Sequence, residues 1–184
     1  MNVKYFLSIA IATAALVVFG AQAISAQDKY TVKVPGGLSL SEVRGYESWE
    51  VISVSTSDHA TAVILGNPMM IDAFKAGIPD NGKPFPDGAK MVKVHWLPKK
   101  SAYFPTTTVP GSQHDVDVMV KDSKRFPDSN GWGYAYIKYD AASDTFSPAT
   151  TEDTPPQAND AKCGAACHTI VKARDYVFTE YGHR

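Results

Sequence analysis

Two short stretches rich in β-branched residues, Trp49 to Ser55 and Ala60 to Leu65, flank the turn formers Ser57 and Asp58. That pattern predicts a hairpin. Asn67 and Pro68 then open a helix in which Met70, Ile71 and Phe74 recur at helical spacing until Gly77 ends it. After the turn-rich residues Pro79 to Gly88, the segment Lys90 to Leu97 alternates. Val92, Val94 and Trp96 fall on one face, and Met91, Lys93, His95 and Leu97 on the other. His114 to Lys121 alternates in the same way, with Val116, Val118 and Val120 set against Asp115, Asp117 and Met119. Between these two strands the Pro/Thr/Gly-rich residues Pro98 to Gly111 read as a loop. Asp128-Ser129-Asn130-Gly131 turns the chain into an aromatic strand, Trp132 to Tyr139. Ser143 to Asn159 shows no apolar period and reads as a surface connection. A helix from Ala161 to Ala173 and a last strand, Tyr176 to Tyr181, close the chain. The expected fold is α+β, mainly antiparallel β-sheet with a few short helices and a helix near the C-terminus, in one domain over residues 27–184.

Residues 1–26 obey a different pattern. Lys4 precedes an apolar run, Tyr5 to Gly20, broken only by Ser8 and Thr13, and Ala21-Gln22-Ala23 and Ile24-Ser25-Ala26 supply small residues for cleavage. This is the pattern of a secretory signal peptide, whereas a membrane anchor needs about 20 uninterrupted apolar residues. The expected mature protein is periplasmic and free of the membrane. Composition narrows its partners: 18 basic residues against 19 acidic ones leave a formal charge of -1, which argues against binding nucleic-acid phosphates or an anionic membrane. With two cysteines among 184 residues, the fold cannot be a disulfide scaffold.

Both cysteines fall in Cys163-Gly164-Ala165-Ala166-Cys167-His168. Two thiols on one helical turn can bond both vinyl groups of one haem, and the adjacent His168 can ligate its iron. The competing readings are a redox dithiol, a zinc half-site and a structural disulfide. A redox C-x-x-C usually opens a helix directly after a strand, while the Cys163/Cys167 pair has three residues between its thiols and follows a polar connection, and His59, His95, His114 and His183 form no second metal-spaced pair. Export agrees with a single covalently attached haem c, held by Cys163 and Cys167 with His168 on the metal. Met119 is the methionine nearest to a possible sixth position on that iron, though Met69, Met70 and Met91 also suit ordinary packing. Trp132, Tyr134 and Tyr136 read as core or interface residues before pocket lining.

Four segments resemble the cytochrome P-460 family, which is related to cytochrome c-prime-beta. They are Gly45-Tyr46-Glu47-Ser48-Trp49, Phe85-Pro86-Asp87-Gly88 with Lys93 downstream, Val120-Lys121-Asp122-Ser123-Lys124-Arg125-Phe126, and the Cys163–His168 segment, a C-x-x-x-C-H motif one residue longer than the usual C-x-x-C-H, followed by Asp175-Tyr176-Val177-Phe178-Thr179. The resemblance implies a β-rich domain, one haem with an open iron position, and a homodimer. It further implies that Lys93 is bonded to the porphyrin, where strand alternation alone leaves it as a residue of a solvated face. Asp117 matches the family's distal glutamate, one methylene shorter, with the solvated face of an edge strand as its other reading. The implied activity is oxidation or reduction of hydroxylamine or nitric oxide, with electrons passing to a soluble acceptor protein. A non-enzymatic nitric-oxide binder and a simple electron carrier are the alternatives.

Overall fold

The computed structural model describes residues 26–34, 37–149 and 159–182. The expected signal peptide, but for Ala26, and residues 150–158 of the expected polar connection lie outside them. Six strands form one antiparallel sheet in chain order: β1 (Glu50–Thr56), β2 (Thr61–Gly66), β3 (Lys90–Lys100), β4 (Thr108–Lys121), β5 (Trp132–Asp140) and β6 (Thr145–Pro148). Helix α1 (Pro68–Lys75) links β2 to β3, and α2 (Asn159–His168) runs into a 3-10 turn, Thr169–Arg174. Asn67 starts α1 as expected. Its side-chain oxygen accepts from the backbone of Met70 and of Lys90, each at 3.0 Å, and its amide donates to the Gly88 carbonyl at 2.9 Å. One residue thus caps the helix and ties it to β3.

Alternation along β2 to β5 gives the sheet two buried faces. Val92, Val94, Val116 and Val118 pack beneath Val34, Leu38, Leu40 and Val43 from the N-terminal segment. On the opposite face Met70, Phe74, Phe85 and Val177 cover Met91, Met119 and Trp132. Fully burying an aliphatic or aromatic side chain stabilises by about 1.5–3 kcal/mol, so both faces contribute to holding the sheet.

Three expectations need correction. Half of the residues Pro98 to Gly111 are the arms of the β3–β4 hairpin, with Pro98 opposite Pro110 and residues 101–107 forming the loop between the strands. Proline is tolerated there because the ladder is irregular between Trp96 and Pro98 and the pairing with β2 has ended at Trp96. Thr145–Pro148 is a short edge strand rather than open connection, its Phe146 ring 4.9 Å from that of Tyr139. A four-residue strand is too short to display a period. Conversely, Tyr176 to Tyr181 is not a strand. Asp175 and Tyr176 adopt left-handed backbone angles, φ 46° and 65°, which swing the chain off the turn before it crosses the sheet face.

Candidate functional site

The sheet face shared by Met91 and Met119 carries cross-strand rows of graded chemistry. The first is apolar, with Met91 opposite Met119 and Met119 opposite Tyr134. One step along, Ile64, Lys93, Asp117 and Tyr136 stand in a single row across β2 to β5. The next row places Ala62, His95, Asp115 and Lys138 side by side. The first two rows floor a cavity of about 760 Å³, roofed by Cys163, Gly164, Cys167 and His168 of α2 and by Phe178, Thr179 and Glu180. Cavities of this size and apolar lining suit a large organic ligand.

Close packing of α2 on β5 makes the roof. A Cβ on Gly164 would lie 2.8 Å from the Tyr134 ring, so the position directly after the first cysteine has to be small. Both cysteines are exposed free thiols. His168 sits between aromatic rings, with centroids 5.0 Å from Tyr134 and 4.9 Å from Phe178. Its Nδ1 lies 2.6 Å from the Tyr176 carbonyl. A carbonyl only accepts, so Nδ1 carries the proton and Nε2 keeps the lone pair a metal needs. Burial, and secondarily the positive charge of Lys93, push the imidazole toward its neutral form against the pull of that carbonyl.

What holds His168 in place lies outside the motif. Lys121, 5% exposed, donates to both oxygens of Asp175 at 2.9 and 3.0 Å and to the Asn130 carbonyl at 3.0 Å. Asp175 also accepts the Phe85 N–H at 2.8 Å, and its carbonyl accepts from the Trp132 indole at 2.9 Å. Asp87 in turn accepts from the backbone and hydroxyl of Ser123 at 2.9 and 2.8 Å. Three of the four segments that carried the resemblance therefore meet as a clamp behind the roof. The sequence reading did not assign Lys121 or Asp175 a task; their presence in those segments was the one available signal.

At the polar edge of the floor, charge is concentrated. Asp117 is ringed by protein but open to the cavity, with 42% of its side chain exposed. Burial, helped by the neighbouring Asp115, pushes its carboxyl up to about 6 against the opposing charges of His95 and Lys93. Asp115 is only 8% exposed and closely contacts Nδ1 of both His95 and His114. Although its burial works the other way, those two imidazoles hold it below the usual carboxylate range. Tyr136 donates to Asp115 at 3.2 Å and is pushed up to about 12 by burial and by that carboxylate.

The structure thus brings Cys163, Cys167, His168, Lys93 and Asp117 around one cavity. Asp117 is not on an edge strand, because β4 lies between β3 and β5. Trp132 and Tyr134 are core as expected, Tyr134 also lining the cavity, while Tyr136 lines the cavity rather than packing in the core. Met91 and Met119 both reach the cavity. His59 and His114 are exposed as expected, and His95, 14% exposed, supports the acidic pair.

A haem suits these residues on chemical grounds. The lining offers two free thiols, an imidazole whose Nε2 is unprotonated, and an apolar floor. The buried Tyr134 hydroxyl, which has no hydrogen-bond partner among the described residues, adds a polar atom that a bound group could satisfy. No curated protein matches the sequence. The family model described as Cytochrome P460 matches residues 43–179, a span running from the start of the sheet through the clamp, both cysteines and His168. The chain belongs to the cytochrome P460 family and is a haem-binding cytochrome.

Proposed function

We propose that this protein is an exported mono-haem c cytochrome that oxidises hydroxylamine or converts nitric oxide at the Lys93–Asp117 edge of its cavity. One observation carries the reading: Lys93 and Asp117 are directly opposite each other on the floor, facing the cavity that Cys163, Cys167 and His168 roof. Cys163 and Cys167 would hold the haem by thioether bonds, and His168 would ligate its iron through Nε2. When bound, haem supplies an iron that can hold a small nitrogen ligand and accept its electrons. Lys93, half-buried beside apolar Ile64 and Met91, is the amine in position to bond the macrocycle. Asp117, with its raised proton affinity, accepts a proton from the ligand as electrons leave. The electrons then pass to a soluble acceptor protein. The reading is completed by signal cleavage near Ala26, release to the periplasm and pairing into a homodimer. It is supported there by the first 26 residues and by the likeness to the family.

Proteolysis of the purified holoprotein tests the attachment. One haem-bearing species should contain both the Cys163–Cys167 peptide and the Lys93 peptide. Full recovery of an unmodified Lys93 peptide would remove the lysine bond, and hydroxylamine-dependent reduction of an acceptor dye would then decide between an enzyme and a nitric-oxide binder.

A further inference from the structure

Behind Asp117 lies a cluster for which the proposed reaction has no other use. His95 Nδ1 closely contacts one oxygen of Asp115 and is 3.8 Å from Asp117. The second oxygen of Asp115 contacts His114 Nδ1, from a ring 55% exposed at the surface, and accepts from Tyr136 at 3.2 Å. A carboxylate oxygen only accepts, so both imidazole nitrogens that touch Asp115 carry their protons. Asp115 is therefore an anchored anion, and His95 is fixed with its N–H in the gap between the two carboxylates.

We propose that the buried Asp115–His95 pair positions and poises Asp117, making this edge of the cavity a pH-sensitive proton-transfer station. The inference rests on the role given to Asp117 above. Its step is a simple exchange: an N–H bond of the ligand breaks as an O–H bond forms on the Asp117 carboxylate, and the proton then leaves to water at the cavity mouth. Charged or titratable neighbours reach Asp117 from each side. Lys93 and His95 come from β3, Asp115 from its own strand, Tyr136 from β5, and Glu180 from the roof. Of these, Asp115 opposes ionisation of Asp117, and His95 and Lys93 favour it. The two members of the pair therefore act on Asp117 with opposite sign. Neither is placed to touch the ligand; each acts through Asp117.

The pair of opposite effects supplies a test that misfolding cannot imitate. The oxidised holoprotein is titrated with pH while its visible absorption is followed, in the wild type and in Asp117→Asn, Asp115→Asn and His95→Gln. The wild type should show a transition near pH 6 that Asp117→Asn abolishes. Asp115→Asn should lower its midpoint and His95→Gln should raise it, each by about half a pH unit or more. The acid limb of dye reduction should move with the same signs. A wild type without the transition, or midpoints that stay fixed or move in the same direction in both variants, would overturn the inference. If the midpoints separate as expected while the wild type shows no hydroxylamine turnover, the poised cluster stands and the oxidoreductase reading fails.

Discussion

Asp117 shows how much one side chain's meaning depends on what covers it. Period-two alternation placed it with Lys93 on the less apolar face, and the register puts the two directly opposite. Alternation cannot say whether solvent or another element lies over that face. Asp115, two residues away and on the same face, was equally open to a solvated reading yet is buried between two imidazoles. Tyr136, a cavity-lining residue expected in the core or an interface, was misjudged for the same reason. Asp117→Ala should retain haem and slow hydroxylamine-dependent dye reduction by about a hundredfold, the usual scale for a positioned base; an unchanged rate would remove Asp117 from the reaction. A stability effect follows from its raised proton affinity. The folded state holds a proton that the unfolded chain releases, so Asp117 costs stability in full above about pH 6, and that cost shrinks as pH falls below its folded value and is gone only below the ordinary carboxylate value of 3.8. Asp117→Asn should therefore raise the melting temperature most at about pH 8, by roughly half as much at about pH 5, and hardly at all at about pH 3.

At the level of elements, capping and alternation made α1, β1 to β5 and the motif helix legible. The segments misread were those held by something other than a repeating pattern. Tyr176 to Tyr181 looks like a strand in composition, but its path is set by left-handed Asp175 and by the Lys121 clamp, a pairing 54 residues apart in sequence. Removing one partner of a buried ion pair typically costs about 3–5 kcal/mol, because the other charge is left without compensation. Lys121→Met should accordingly lower the melting temperature far more than Lys124→Met, which removes an exposed lysine three residues on. It should also loosen the backbone carrying the Tyr176 carbonyl, readable as a change in the His168 ring resonances. Gly164→Ala probes the roof itself. Its new methyl would collide with Tyr134, and overpacking of this kind costs about 1–3 kcal/mol, so haem retention and melting temperature should fall together.

Across the whole molecule, the sheet is a meander whose neighbouring strands are neighbours in sequence, whereas the roof must return from the far end of the chain. Gly182 donates to the Ile52 carbonyl at 3.4 Å, and Tyr181 stacks on Phe74 with centroids 5.7 Å apart. Local pairings lose little chain entropy and form early, while closure over more than a hundred residues comes at greater entropic cost. On the proposed reading of export and thioether attachment, a chain can thus complete β1 to β5 while its last twenty or so residues still swing free, which would leave both thiols within reach for attaching haem. The order of assembly becomes a route for loading: sheet first, cofactor next, roof last. Hydrogen exchange on the haem-free chain should find β2 to β5 protected and residues 163–182 exchanging fastest. Equal protection of the roof would mean that it closes without its cargo.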